Sequence, residues 1–272
     1  MPELPEVETI RLQMKEEIEG KKIESTKVIS DKPLGNTTVE EFKERVEGAF
    51  IKDVKRRAKI LIIKLSTGDS LLIHLKLTGR LLLLRPSVPI EKHTHLIFNL
   101  NDGHQLRFWD LRRFGYVKLV SGKLKEVLEL KKLGPEALEL SLNEFRNILA
   151  GKRSGKIKSL LLDQHFIAGI GNIYSDEALF YAGIHPERNV ATLKEDEIAR
   201  LHEGIRKIMS SAISYRGSSM DDYVDLFGKQ GDFVPRHKVY RRMGKPCKAC
   251  GSLIKRIKVG GRSAHFCPKC QV

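Results

Sequence analysis

No stretch of the 272 residues holds about 18 uncharged apolar residues in a row, so no membrane-spanning helix is expected. The first ten residues, MPELPEVETI, carry three glutamates where a secretory signal would carry basic residues, and export is not expected either. Internal repeats and low-complexity tracts are absent. The sharpest absence is of acid: between Arg236 and Val272 there is no Asp or Glu against eleven Lys and Arg. The chain as a whole has 49 Lys+Arg and 34 Asp+Glu, a formal net charge of +15, so these 37 residues hold +11 of it and the rest is only mildly basic. With 41% apolar residues the chain can bury one large or two modest cores, which excludes overall disorder. A basic segment on a balanced chain reads as a phosphate-backbone footprint, because neutralising phosphates releases condensed counterions. On charge alone a ribosome-like or solubilising tail is the alternative.

Cysteine is scarce, and all four residues lie inside that acid-free segment, as Cys247-Lys248-Ala249-Cys250 and, sixteen residues on, Cys267-Pro268-Lys269-Cys270. Two C-x2-C knuckles with this separation match a tetrahedral thiolate site with sulfurs ~2.3 Å from one zinc ion. Two disulfides are the alternative, disfavoured in a chain expected to stay in the reducing cytoplasm. Four thiolates leave no open coordination position, so the Zn2+ is expected to be structural and the chemistry to lie elsewhere. The intervening SLIKRIKVGGRSAHF suggests two short strands with Gly260-Gly261 at the turn and Arg262 at or beside the tip.

The remainder shows two regimes. A helix is expected at about residues 6–19, from Val7, Ile10, Met14 and Ile18 at helical spacing. Residues 21–120 are rich in short β-branched or alternating segments separated by turn signals such as STGD and NDG, the pattern of a β-sandwich or barrel. Beyond residue 123 the period becomes helical. Gly169-Ile170-Gly171-Asn172 precedes one of these helices, where glycines allow close approach of a phosphate to helix N-terminal amides; purely steric Gly-x-Gly turns are common, and no strand precedes this one.

Six separated blocks then carry a family resemblance: MPELPEVETI; Arg56-Arg57-Ala58-Lys59; His74-Leu75-Lys76-Leu77-Thr78-Gly79; Asp110-Leu111-Arg112-Arg113-Phe114-Gly115; Gly169-Ile170-Gly171-Asn172-Ile173-Tyr174; and the four-cysteine ribbon. Together they resemble the bacterial formamidopyrimidine-DNA glycosylases, from Met1 to Cys270. The resemblance implies an α+β chain: an N-terminal β-sandwich domain with its helix at 1–122, a helical domain with a helix-two-turn-helix at 123–235, and a zinc-finger hairpin at 236–272. It also implies damaged double-stranded DNA as partner, a monomer, no nucleotide cofactor, no membrane and a cytoplasmic location.

The chemistry of the first residues agrees. A small residue after Met1 allows removal of the initiator, which leaves Pro2 as a secondary amine; α-amino groups ionise near ~8, so a neutral fraction exists at physiological pH. Its adduct with C1′ of a damaged nucleotide is an iminium ion, an electron sink that permits strand scission after base loss. The plain alternative is that Pro2 and Pro5 shape a helix start. Glu3 beside the amine is the expected proton shuttle, with a helix-dipole role as its alternative, a part open to Glu6 as well. By resemblance, Lys59 is an acid in the elimination and a phosphate contact. Arg262 is assigned by resemblance to the second elimination, and we read it as a phosphate clamp because its pKa is too high for a proton donor.

Flipping a base leaves a gap that must be filled. Arg112 and Phe114 match two of the family's three gap-filling residues, while Leu77 stands where the family usually has methionine. Arg112 is expected to face the orphaned cytosine. His93 and Arg153 match DNA-binding positions, and His74, Lys158 and Asn172 are expected on the backbone. The segment at 218–237, where the family closes over the lesion, matches only loosely. Oxidised purines such as 8-oxoguanine and formamidopyrimidines are the expected substrates, removed with β- and δ-elimination. An endonuclease VIII-like enzyme for oxidised pyrimidines and a non-catalytic zinc-ribbon protein are the alternatives.

Overall fold

A computed structural model describes residues 1–272 apart from Asn36, Lys152, Arg153 and the side chain of Lys125. The chain forms two compact units, Met1–Lys131 with Tyr215–Val234, and Lys132–Ser214 with Pro235–Val272. The four-cysteine hairpin groups with the helical unit, and the segment 215–234 groups with the sandwich unit.

In the first unit, α1 (Leu4–Ile18) precedes β1 (Ile23–Val28), α2 (Val39–Val46), β2 (Ile51–Arg57), β3 (Ile60–Leu65), β4 (Ser70–His74), β5 (Gly79–Leu84), β6 (Thr94–Leu100), β7 (Gln105–Asp110), β8 (Tyr116–Val120) and the short α3 (Leu128–Lys131). The eight strands make two antiparallel sheets, ordered β1-β6-β7-β5 and β2-β3-β4-β8. Strand β5 alternates buried and half-buried residues, as a strand covered on one face should, whereas β3 is buried almost throughout. Val7, Ile10, Met14 and Ile18 of α1 join the core with Leu61, Leu71, Leu81, Phe98 and Phe108. Tyr223 and Leu226, far along the chain, belong to the same core, and Leu83 N–H donates to the Leu226 carbonyl at 2.9 Å. That burial holds 215–234 on the sandwich, at roughly 1.5–3 kcal/mol for each fully buried large side chain.

The second unit contains α4 (Leu142–Ala150), α5 (Ile157–Leu162), α6 (Asn172–Ala182), α7 (Glu195–Ser214) and the hairpin of β9 (Lys255–Val259) and β10 (Arg262–Phe266). Helix α4 opens on a capping box: Ser141 Oγ accepts from Glu144 N–H at 3.2 Å, and the Glu144 carboxylate accepts from Ser141 N–H at 2.8 Å. Gly260 and Gly261 both have positive φ, 54° and 79°, the pair that a tight primed hairpin turn requires. Among the described residues no helix is long and apolar enough to cross a membrane.

Candidate nucleic-acid and catalytic site

Pro2 and Glu3, two of the expected catalytic residues, lie at the start of α1 in the sandwich unit. Pro2 is buried, Glu3 is 3% exposed, and the buried Glu6 accepts from two backbone amides, Glu3 N–H and Ser218 N–H, each at 2.8 Å. One carboxylate thus ties the N-terminus to the 215–234 segment. Arg56 extends the assembly, donating from Nε to Glu8 at 2.8 Å and from a terminal nitrogen to the Ala58 carbonyl at 2.8 Å. That pins the β2–β3 turn, with Ala58 at φ 52°, against the helix. Lys59 follows in the same turn. It is only 7% exposed, so it is not the solvated strand lysine that was its plain alternative.

His74 ends β4. Its Nδ1 accepts from the Lys76 backbone N–H at 2.9 Å, which leaves the ring proton on Nε2. Burial first, then the Lys76 and Lys59 ammonium groups, push its pKa down to about 3, so the ring is neutral at physiological pH. His93 has φ 74°, strained for a non-glycine residue, and meets Trp109 edge-on at 6.0 Å. Arg80 lies over the same indole at 4.4 Å.

Leu77 lies half-buried in the loop between β4 and β5, and Arg112 and Phe114 lie in the loop between β7 and β8. Phe114 is 53% exposed and Leu111 49%, which removes core packing as an account of Phe114. The Arg112 guanidinium lies 5.0 Å from the centre of the Phe114 ring. The two loops are joined at Asp110, whose carboxylate accepts from Thr78 Oγ at 2.5 Å, Arg112 N–H at 3.2 Å and Gly115 N–H at 2.7 Å.

In the second unit, Lys158 lies beneath the hairpin. Lys158 was expected on a DNA phosphate, but it is fully buried; its ammonium pairs with Asp176 and donates to the Ser263 carbonyl at 2.7 Å. A buried ammonium with those partners is structural, and what it holds is the hairpin. Asp176 also accepts from His265 N–H at 2.9 Å, and its neighbour Glu177 accepts from the amides of Lys238, Val239 and Tyr240 at 2.8–3.0 Å. Burial raises the Glu177 pKa despite those three donors. Gly260 meets α5 so closely that a Cβ would lie 2.7 Å from Ser159 Oγ. Arg262 is exposed at the start of β10, and it lines a groove with Asn172, Tyr240, Arg241, Met243 and Arg256. Asn172 is the first residue of α6, and its Oδ1 is buried without a hydrogen-bond partner. The Gly169–Gly171 loop is wrapped by Gln164, which accepts from Gly169 N–H at 3.0 Å and donates to the Ile170 carbonyl at 2.8 Å. Arg153 lies outside the described residues.

The four cysteine sulfurs lie within 4.8 Å of one another, Cys247 to Cys270 at 4.0 Å and Cys250 to Cys267 at 3.4 Å. Those separations are far too long for disulfide bonds, and they suit a tetrahedral ion with sulfurs ~2.3 Å away and about 3.8 Å apart. Backbone amides of Ala249 and Cys270 point at Cys247 and Cys267 Sγ at 3.4 Å, so the chain around the thiolates fits the group.

Sequence reasoning missed Asp110, Asp176 and Glu177 as anchors. Of these, only Asp110 left a local signal, an Asp two residues before the amide it caps.

The chain thus combines a β-sandwich carrying a buried Pro-Glu pair, a helical unit and a four-cysteine hairpin rich in Lys and Arg. Family profiles described as the formamidopyrimidine-DNA glycosylase N-terminal domain, its H2TH domain, and a zinc finger found in FPG and IleRS match residues 1–117, 133–224 and 244–272. Formamidopyrimidine-DNA glycosylases of Pelotomaculum thermopropionicum and Desulforamulus reducens are 46% and 44% identical, each over all of this chain and 99% of the relative. A solved complex of the Lactococcus lactis enzyme with abasic-site DNA aligns at TM-score 0.90 and 39% identity, covering 99% of both chains; another, with oxidised-pyrimidine DNA, aligns at 0.89 and 38%, again over 99% of both. The chain belongs to the formamidopyrimidine-DNA glycosylase family.

Proposed function

We propose that this protein is a base-excision repair enzyme acting in the cytoplasm on duplex DNA, which removes oxidised purines and then cleaves the abasic strand. The observation that carries the reading is the buried Pro2-Glu3 terminus, held by Glu6 beside the Arg56-pinned turn of Lys59. After loss of Met1, the Pro2 nitrogen bonds to C1′ as the C1′–N bond to the damaged base breaks, and Glu3 protonates the sugar ring oxygen as the ring opens. The resulting iminium withdraws electrons from C2′, a proton leaves that carbon, and the 3′ phosphate departs; a second elimination releases the 5′ phosphate. Lys59 serves as acid for the first departure, and Arg262 steadies phosphate charge. Hydrolysis of the iminium frees Pro2.

His74 would donate Nε2–H to phosphate as a neutral group, with His93 and Asn172 as further backbone contacts. Leu77, Arg112 and Phe114 would fill the gap left by the flipped base. One zinc ion on the four cysteines would staple the ribbon without joining the reaction. Activity as a monomer and without a nucleotide cofactor belongs to the same proposal. Oxidised pyrimidines are the second reading, favoured by the DNA bound in one Lactococcus lactis complex. Borohydride trapping on oligonucleotides carrying 8-oxoguanine or thymine glycol separates them: preferential trapping with 8-oxoguanine supports the first, preferential trapping with thymine glycol the second, and no adduct with either defeats both.

A further inference from the structure

The two gap-filling loops come from different strand pairs and are 32 residues apart in sequence, yet they share one buried anchor. Asp110 is 0% exposed and ends β7 directly opposite Gly79, the first residue of β5. Its Oδ1 takes the Thr78 hydroxyl at 2.5 Å and the Arg112 amide at 3.2 Å, while Oδ2 takes the Gly115 amide at 2.7 Å. The Arg112 amide also donates to Thr78 Oγ at 3.1 Å, so one backbone group is shared by both loops. On the 75–79 side the chain doubles back with Gly79 N–H on the Leu75 carbonyl at 2.9 Å, and a Cβ at Gly79 would stand 2.5 Å from that oxygen. On that same side Lys76 adopts φ 53°, and on the other side Arg113 adopts φ 56°, strained values for residues with a side chain. The Arg112 guanidinium lies 5.0 Å from the centre of the Phe114 ring.

We propose that Asp110, acting with the Thr78 hydroxyl, is a positioning residue that preassembles Leu77, Arg112 and Phe114 into one rigid wedge, and thereby sets how well the enzyme opens the duplex and reads the base opposite the lesion. The inference rests on the gap-filling role given to these three side chains above. Neither Asp110 nor Thr78 is given a step in the proposed reaction.

Thr78→Val removes the hydroxyl at nearly constant volume, Thr78→Ser keeps it, and Asp110→Asn keeps the acceptor for Thr78 while turning an N–H toward the Gly115 amide. Single-turnover excision of 8-oxoguanine opposite C and opposite A, with 2-aminopurine fluorescence beside the lesion, reads wedge insertion. Borohydride trapping on a single-stranded abasic oligonucleotide reads chemistry that needs no wedge. Thr78→Val and Asp110→Asn are expected to lose about tenfold in both the C-over-A ratio and the fluorescence rise, a loss typical of one or two buried hydrogen bonds. Single-strand trapping should be unchanged, and Thr78→Ser should match the parent throughout. Thr78→Val that keeps the ratio and the fluorescence rise overturns the proposal, and so does a variant whose single-strand trapping falls in parallel. Failure of the parent protein to trap on any substrate would defeat the underlying functional reading instead.

Discussion

The two units hold their exposed segments by related but unequal means. In both, a buried carboxylate on a regular element accepts backbone amides from another part of the chain. Asp110 takes Arg112 and Gly115, Glu6 takes Glu3 and Ser218, Asp176 takes His265, and Glu177 takes three successive amides at 238–240. They differ in charge. Asp110 is satisfied by two amides and a hydroxyl, whereas Asp176 faces the Lys158 ammonium, in the unit that also holds the four-cysteine cluster. Amide-held loops tolerate loss of one donor at moderate cost. An ion pair broken on one side leaves an uncompensated buried charge, which costs far more. The ribbon is therefore the brittle region and the sandwich loops the tunable one.

The largest effect should come from the metal cluster. Cys250→Ala, or stripping zinc with a chelator, should collapse the ribbon and weaken binding to duplex DNA containing an abasic analogue by more than about 100-fold, because structural zinc energy is folding energy. Fluorescence anisotropy alongside zinc content checks this, and tight binding by zinc-free protein would refute it.

Next comes the buried pair. Lys158→Met should destabilise the helical unit by about 3–5 kcal/mol, while Lys158→Met with Asp176→Asn should recover part of that loss. Denaturant unfolding of the single and double variants measures it. Equal stability of Lys158→Met and the parent would mean the ammonium does not hold β10.

In the sandwich unit, Gly79→Ala meets the Leu75 carbonyl at 2.5 Å and should cost about 1–3 kcal/mol, less than the ion-pair variant. A melting temperature as low as that of Lys158→Met would erase the contrast between the two regions.

The smallest effect concerns His74. Its folded pKa, about 3, lies below the ordinary 6.5, so the unfolded chain takes the proton first. Its contribution to stability is complete above pH 6.5 and declines as the pH falls toward 3. In the complex it should act as a neutral donor, so His74→Ala should weaken binding by the same factor, about fivefold, at pH 6 and pH 8. A penalty confined to pH 6 would show a charged histidine.

Local chemistry was legible in the sequence. The change of period near residue 120, the two C-x2-C pairs, the Gly-Gly turn before Arg262 and the Gly-x-Gly ahead of α6 all reappear as elements, since each depends on residues within a few positions. The long-range anchoring was not legible. Nothing near Lys158 reveals that its partners are eighteen and 105 residues away, and nothing near Ser218 reveals that its amide meets Glu6 across 212 residues. The placement of 215–234 on the sandwich was hidden for the same reason: Tyr223 and Leu226 look like ordinary loop residues until the core they enter is known.

In the proposed function the chemistry belongs to an uncharged amine at Pro2, while the basic segment at 236–272 grips phosphate. Borohydride reduction on an 8-oxoguanine duplex, followed by peptide mapping of the trapped protein, tests it most directly. A single adduct on the N-terminal peptide at Pro2, lost in Pro2→Gly, is expected. An adduct on Lys59 or another lysine, or full activity in Pro2→Gly, would contradict it.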